Sequence, residues 1–237
     1  MIIPQKMKAR LSDRQDYNDR YAQYRFELSE PFKLANEAGQ YVMFKVADET
    51  MRAYSMADRP DVENSFEILV DHQPNGLGTN FLRNLKFGQE VEILAPLGQL
   101  TVKEEVTADT LVFIATGCGI SPFKAIITDQ LQLKKTPRKI VLLWGMRHDD
   151  ELFWTEDFQS MQDAYENFTF LPLISRPSED WAGETGRVTD FLRDTEFDAS
   201  THFYTCGAKC MVDEVHDILV NKGIEPNKIE TERFHDC

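Results

Sequence analysis

The rhythm of apolar residues changes once along the chain, between residues 101 and 109, and this change constrains the fold more than any other feature. Before it, runs such as YRFELS, QYVMFKV, SFEILVD and EVEILAP are separated by turn residues, which is typical of antiparallel strands. After it, continuous apolar runs such as TLVFIAT and KIVLLWGM alternate with helical segments, which indicates a parallel sheet covered on both faces. We therefore predict two domains, an antiparallel β-barrel over residues 1–103 and an α/β domain over residues 109–237.

Charge and composition exclude several classes of function. A net charge of -14 over 237 residues repels nucleic acids and anionic membranes, so we expect neither as a partner. No apolar run approaches the ~20 residues that span a bilayer, and the start of the chain offers no export signal. We therefore expect a cytoplasmic protein. The four cysteines and five histidines show no ligand-like spacing, so we expect no metal site.

A glycine-rich loop, TGCGISP, follows the apolar run LVFIA. We expect Ser121 to cap the next helix and Pro122 to be its first residue. A helix start beside a backbone without side chains favours a phosphate group, because free N–H groups and the helix dipole attract anions. The alternative is a turn that binds nothing, and a short glycine motif alone does not decide between the two.

The fragment RAYS carries a cation, an aromatic ring and a hydroxyl within four residues. Because side chains alternate along a strand, Arg52 and Tyr54 should share one face and Ala53 and Ser55 the other. Taken alone, the fragment is best interpreted as a half-exposed strand.

Eight short motifs in a fixed order give the chain a family resemblance. They are RAYS, NGLGTNFL, APLG, TGCGISPF, LWGMR, ISRP, YTCG and ETERF, and they cover nearly the whole chain. Each is weak alone, but the ordered set on a barrel followed by an α/β half resembles the ferredoxin-NADP reductase-like flavoprotein superfamily. The resemblance implies FAD bound by the first domain and NAD(P)H bound by the second.

The resemblance also implies roles for residues of the barrel half. Arg52 would bind the FAD pyrophosphate, Tyr54 would pack on the isoalloxazine ring, and Ser55 would hydrogen-bond near the flavin N5. A guanidinium suits phosphate oxygens and an aromatic face suits a flat heterocycle. The second phosphate-binding element would be Gly76, Gly78 and Thr79.

In the second half, the resemblance implies a dinucleotide site. The residues that would position the dinucleotide over the flavin are Thr116, Gly117, Gly119 and Pro122. Cys118 departs from the family, which usually has threonine there.

A nicotinamide pocket follows from the same resemblance. Cys206 and Gly207 match this pocket, Glu232 matches a carboxylate that assists hydride transfer, and Phe234 falls where many members place an aromatic ring over the flavin. With Ser55, this makes Cys206 and Glu232 the candidate catalytic residues. For Cys206 taken alone, the alternative is a free cysteine that packs in the core as a small apolar side chain and has no catalytic role.

The choice between NADPH and NADH depends on the 2′-phosphate of NADPH, which needs a cation or a hydroxyl beside it. The resemblance places Ser175 and Arg176 there, and Arg147 would add to them. We expect a preference for NADPH, with NADH as the possible substitute. The alternative is an exposed turn with no role.

These observations predict a cytoplasmic FAD-dependent NAD(P)H oxidoreductase. Hydride would pass from NAD(P)H to FAD, and electrons would then leave to a separate acceptor such as ferredoxin, flavodoxin or free flavin, because the cysteine cluster of members with their own ferredoxin domain is missing. The first alternative is an electron-transfer subunit of a multicomponent oxygenase or reductase complex. The least favoured is a non-catalytic nucleotide-binding module.

Overall fold

The computed structural model describes residues 3–30, 33–62, 64–73 and 75–234. It divides into two compact units, the first made of residues 1–102 and 121–133 and the second of residues 103–120 and 134–237. The expected functional domains, 1–103 for FAD and 109–237 for the nucleotide, stay a prediction. His235, Asp236 and Cys237 lie outside the described residues.

The first unit contains an antiparallel sheet with the strand order β4-β3-β6-β1-β2-β5. Its strands and its first helix are β1 (Gln5–Asp16), β2 (Tyr21–Glu30), β3 (Tyr41–Ala47), β4 (Thr50–Ser55), β5 (Ser65–Asp71), α1 (Leu77–Arg83) and β6 (Glu90–Leu97).

Aromatic side chains fill the interior of the barrel that this sheet forms. Phe26 stacks on Phe66 with ring centroids 5.4 Å apart, and Phe44 lies 4.9 Å from Phe26. A bridge between Met56 and Ile68 joins the residue after β4 to β5, which brings the two edge strands of the sheet together. The antiparallel barrel architecture is thereby confirmed.

The second unit is built on a sheet with the order β10-β9-β8-β7-β11-β12, and all of its pairings are parallel. Its strands are β7 (Thr110–Thr116), β8 (Lys139–Met146), β9 (Phe168–Ile174), β10 (Glu184–Thr185), β11 (His202–Gly207) and β12 (Ile229–Arg233). The other α-helices among the described residues are α2 (Ile120–Thr128), α3 (Thr155–Ala164), α4 (Val188–Asp194) and α5 (Lys209–Asn221). The parallel α/β fold is confirmed.

Two local predictions were wrong. A 3₁₀ turn over Gly117–Gly119 precedes α2, so Ser121 and Pro122 are the second and third residues of that helix instead of its cap and first residue. Ser121 is buried and forms no capping bond. The reason is that the glycine turn is itself helical. The helical stretch therefore starts earlier in the chain, and Thr116, in an extended conformation, is its cap residue.

Candidate functional site

Arg52, Tyr54 and Gly78 come together between β4 and the start of α1. A Cβ atom built on Gly78 would lie 2.5 Å from the Tyr54 hydroxyl and 3.0 Å from Cγ of Arg52. Both side chains therefore contact the same glycine, and they share a face of β4 as the two-residue period predicts. Ser55 ends the strand and is buried.

The first turn of α1 supplies the second expected phosphate element. Gly76 caps the helix in an extended conformation and without a side-chain bond, and its carbonyl accepts the Thr79 hydroxyl at 3.0 Å. Gly76 has open space around its Cα, whereas Gly78 is buried. The two glycines thus differ: Gly78 is required by close packing and Gly76 is not.

These residues fit an FAD pyrophosphate and ring. The Arg52 guanidinium is exposed, donates only to the Met51 carbonyl at 2.8 Å, and forms no ion pair within the described ranges. An uncompensated guanidinium is suited to bind phosphate oxygens. Tyr54 is half-buried, with its ring edge-on to Phe44 at 5.8 Å, so one side of the ring is fixed by the barrel.

In the second unit, the glycine turn after β7 lies against the end of β11. A Cβ atom on Gly119 would lie 2.1 Å from the carbonyl oxygen of Cys206 and 2.6 Å from its carbonyl carbon. The Trp144 indole also contacts this turn, since its Nε1 donates to the Gly117 carbonyl at 3.1 Å. Gly119 is therefore needed because backbone meets backbone there.

Gly207 is held against the end of β7. Its φ of 147° is one that residues with a side chain rarely adopt, and a Cβ atom there would lie 2.4 Å from Oγ1 of Thr116. That hydroxyl oxygen is buried and has no hydrogen-bond partner among the residues the structure describes. A buried hydroxyl without a partner is costly, and a ligand hydrogen bond would remove the cost, so this group fits a bound nucleotide.

Cys206 and Glu232 are neighbours across the β11–β12 pair. Burial raises the pKa of the Cys206 thiol well above its usual value, and the nearby Glu232 and Cys118 raise it further. The thiol is therefore protonated at neutral pH and acts as a neutral, weak donor. Phe234 follows β12 and is partly exposed, and its N–H donates to the Gly207 carbonyl at 2.9 Å.

The loops after β8 and β9 bring the expected 2′-phosphate residues together. The N–H of Ser175 donates to the Met146 carbonyl at 3.0 Å, and the N–H of Arg176 donates to the Arg147 carbonyl at 2.8 Å. Ser175, Arg176 and Arg147 are exposed, and neither arginine forms an ion pair in the described part of the chain.

Sequence reasoning missed an acid beside this cluster. Asp149 accepts hydrogen bonds from the backbone N–H and the hydroxyl of Ser178, at 2.7 and 2.8 Å. Those two bonds lower the pKa of Asp149, so its carboxylate stays charged. The signal was the HDDE run after β8, because the loops that follow neighbouring parallel strands meet at one edge of the sheet.

The remaining predicted residue, Pro122, is buried within α2, and its contact with a nucleotide stays a prediction. Within the described ranges, no three histidine, cysteine or acidic side chains cluster as metal ligands do. No described helix has both the length and the apolar character needed to cross a membrane.

Two family models match adjoining parts of the chain. An oxidoreductase FAD-binding domain matches residues 8–112, and an oxidoreductase NAD-binding domain matches residues 113–217. They fall on the segments that carry the Arg52–Tyr54–Gly78 group and the Gly119–Cys206 group.

Two curated relatives are the same subunit of one kind of enzyme in different organisms. A subunit of the Na(+)-translocating NADH-quinone reductase of Pseudoalteromonas atlantica is 34% identical over 206 residues, which is 80% of this chain and 50% of that protein. Its counterpart in Serratia proteamaculans is 32% identical over 205 residues, with the same coverage of both chains. The chain spans about half the length of these relatives.

Solved structures share the fold over almost the whole chain. The Amycolatopsis cytochrome P450 reductase GcoB superimposes with a TM-score of 0.89 at 26% identity, covering 98% of this chain and 70% of that one. A ferredoxin NADP+ reductase from Neisseria gonorrhoeae, with bound FAD and NADP, gives a TM-score of 0.83 at 20% identity, covering 96% and 98%. The chain consists of an oxidoreductase FAD-binding domain followed by an oxidoreductase NAD-binding domain, and it belongs to the ferredoxin-NADP reductase-like flavoprotein superfamily.

Proposed function

We propose that this protein is the reductase component of an electron-transfer system, accepting hydride from NAD(P)H and passing electrons to a separate acceptor. Bound FAD would supply the change from a two-electron donor to one-electron or two-electron delivery. The observation that carries the proposal is the packing of Arg52 and Tyr54 on Gly78, which leaves an uncompensated guanidinium beside an aromatic ring.

The chain's own residues would then hold and orient the two cofactors. Arg52 and the α1 start would bind the pyrophosphate, and Ser55 would hydrogen-bond the flavin ring edge. In the second unit, the Thr116 hydroxyl and the Gly119 and Gly207 backbone would seat the dinucleotide. The protonated Cys206 thiol and the neighbouring Glu232 would border the nicotinamide, where a thiol leaves room for a flat ring and adds no charge.

The component role is preferred over a free-standing enzyme because of the relatives. Those relatives are named as one part of a quinone reductase and as a cytochrome P450 reductase. Both names describe proteins that act together with another redox partner. The second candidate is a free-standing reductase of ferredoxin, flavodoxin or free flavin, which the same cofactor sites would serve.

The test begins with the flavin and the hydride step. We expect purified protein mixed with FAD to be yellow and to bleach when anaerobic NAD(P)H is added in a stopped-flow instrument. Cys206→Ala and Glu232→Gln should keep their FAD and bleach more slowly. A protein that takes up no FAD would contradict the cofactor site. Bleaching of both variants at the wild-type rate would contradict the two catalytic assignments.

The acceptor step separates the component from the free-standing enzyme. A component should reduce ferricyanide quickly but free flavin and oxygen slowly, since its physiological partner is missing from the assay. Brisk turnover with free flavin under NAD(P)H would favour the free-standing reductase instead.

Nucleotide preference is proposed to depend on two opposing charges. Arg176 would form a charge-assisted hydrogen bond to the 2′-phosphate, worth ~1.5 to 3 kcal/mol or roughly ten- to a hundred-fold. Asp149 would oppose that phosphate. We expect Arg176→Ala to lower, and Asp149→Asn to raise, the ratio of kcat/KM for NADPH over NADH. An unchanged ratio in Arg176→Ala would remove the assignment of this cluster.

A further inference from the structure

The LWGMR motif at the end of β8 supports the glycine turn that follows β7. The indole Nε1 of Trp144 donates to the Gly117 carbonyl at 3.1 Å. The next residue, Gly145, pairs in register with Thr116, the residue before Gly117. A Cβ atom on Gly145 would lie 3.1 Å from Cγ2 of Thr116, so the missing side chain leaves room for that threonine. Two successive residues of β8 therefore meet two successive residues at the start of the turn.

Neighbouring aromatic rings fix the Trp144 side chain in the core. The indole is fully buried, with the Phe153 ring edge-on at 4.8 Å and the Phe170 ring stacked at 6.4 Å between centroids. An indole nitrogen can only donate, and a buried donor without an acceptor is destabilising. The Gly117 carbonyl supplies that acceptor, so the bond satisfies the indole and anchors the turn to the core.

The direction of the Gly117 carbonyl sets the orientation of the turn. A peptide unit is planar, so a hydrogen bond that fixes the carbonyl also fixes the rest of the same unit. The turn needs such a bond, because Gly117 has a φ of 52° and glycine backbones rotate more freely than those of other residues. The Ile120 N–H also donates to this carbonyl, and the oxygen has a lone pair for each of the two donors.

The turn is contacted from both strands that flank β7 in the sheet. On the β11 side, Gly119 meets the carbonyl of Cys206, and on the β8 side the indole of Trp144 meets the carbonyl of Gly117. The first contact is between two backbones. The second depends on one side-chain N–H group, which a substitution can remove.

We propose that Trp144 is a positioning residue for the pyridine nucleotide, because its indole N–H holds the glycine turn in the conformation that receives the dinucleotide. Trp144 acts through the turn and does not touch the nucleotide. The inference rests on the proposed function of the second unit. It adds a core residue to that function, on a motif from which only Arg147 had been assigned a role.

A role in holding the turn has a consequence that a role in nucleotide choice does not have. Arg147 and Arg176 are proposed to contact the 2′-phosphate, which only NADPH carries. The turn would serve the part that NADPH and NADH share. Loss of the Trp144 bond should therefore weaken both nucleotides by the same factor and leave the ratio of their kcat/KM values unchanged.

The first test compares nucleotide binding in two variants by isothermal titration calorimetry with NADP⁺ and NAD⁺. Trp144→Phe keeps a ring in the core and removes the N–H donor, so we expect roughly two- to tenfold weaker binding of both nucleotides. In turnover, KM should rise by a similar factor, with kcat and FAD binding unchanged. The matched control is Trp154→Phe, which removes an indole that packs on the same Phe153 ring at 5.3 Å. It should bind both nucleotides as wild type does.

The second test follows the indole N–H of the wild-type protein by ¹H–¹⁵N NMR. The three tryptophans give three indole resonances. Trp154→Phe and Trp181→Phe identify two of them, so the resonance of Trp144 is assigned by elimination even if Trp144→Phe does not fold. We expect this resonance to shift as NADP⁺ or NAD⁺ is added and to saturate together with the calorimetric binding curve.

The outcomes separate this inference from the proposed function. Wild-type protein that binds neither nucleotide would overturn the proposed nucleotide site, and the role of Trp144 with it. If wild type binds but Trp144→Phe binds equally well, or Trp154→Phe loses as much affinity, only the positioning role is overturned. The same holds if the Trp144 resonance does not move during the titration, or if Trp144→Phe changes the ratio of the two nucleotides.

Discussion

Gly78 is the residue of the proposed flavin site whose missing side chain leaves room for its neighbours. The Tyr54 hydroxyl and the Arg52 side chain occupy the space that a Cβ atom would need. Sequence reasoning identified the glycine from its motif, but a motif does not show whether the backbone turn or the close contact requires it.

Gly78→Ala should therefore displace Tyr54 and Arg52 and weaken FAD binding about tenfold or more, as expected for an added methyl group in a packed contact. Quenching of FAD fluorescence during titration of the FAD-free protein measures this. Gly76→Ala adds the same methyl group where nothing lies within 4 Å, so its loss should be smaller, limited to a poorer helix cap. Equal losses in the two variants would show that the close contact is not the reason.

At the scale of elements, one close backbone contact joins the turn after β7 to the end of β11 in the second unit. The turn after β7 touches the carbonyl of Cys206 on β11, and Gly119 is the residue at the contact. A backbone atom cannot move aside as a flexible side chain can, so a methyl group there must push the two strands apart.

We expect Gly119→Ala to lower the free energy of unfolding by about 1 to 3 kcal/mol or more in urea titrations. Gly145→Ala is the comparison, because the atoms that its Cβ would meet, at 3.0 and 3.1 Å, belong to the side chains of Val188 and Thr116. Its cost should be smaller. Should Gly145→Ala prove the more damaging variant, the backbone argument fails.

The connection between β4 and β5 contains a carboxyl group with an unusual titration. Asp58 accepts a hydrogen bond from the Glu67 N–H at 3.1 Å, but burial dominates and raises the pKa of Asp58 to about 7. The folded protein then binds a proton more tightly than the unfolded chain does, from about the ordinary aspartate pKa of 3.9 up to pH 7.

Stability should consequently fall as pH rises through this window and level off above about pH 7, with a loss on the order of 2 to 4 kcal/mol. Asp58→Asn keeps an acceptor for the Glu67 N–H and removes the charge. Urea unfolding at several pH values should show a flatter profile and higher stability near pH 8 for this variant. A variant that keeps the wild-type slope would assign the titration to another group.

The strands of the second unit could be predicted because they are continuous apolar runs, and β11, all six residues of which are buried, is the clearest case. The first strand was missed. In β1 the buried residues Met7, Ala9 and Leu11 alternate with Lys6, Lys8 and Arg10. The two-residue period of a strand was therefore present, but the many charged residues made the segment look like an exposed loop. The contribution of Asp149 was missed for another reason, since it depends on which loops meet at the edge of the sheet.

At the scale of the whole molecule, the charge of -14 should influence the exchange of electrons with charged acceptors. Long-range attraction or repulsion between charged molecules changes the rate at which they meet. At 0.1 M ionic strength, salt screens these forces at distances beyond about 10 Å.

If the protein is the proposed reductase, NAD(P)H-dependent reduction of anionic ferricyanide should speed up as salt is added, and reduction of basic cytochrome c should slow down. A neutral quinone serves as the control and should respond little. Rates measured from about 0.01 to 0.2 M salt test this, and a change of the same sign for both charged acceptors would mean that local patches outweigh the overall charge.

The position of β1 in the sheet has a practical consequence. This strand lies between β2 and β6, so a shortened protein that starts after Asp16 would lack an inner strand instead of a dispensable end. Two rows of unpaired backbone N–H and C=O groups would then face each other across a gap, and such edges pair readily with those of other molecules. We expect that shortened protein to accumulate as insoluble aggregate when it is expressed.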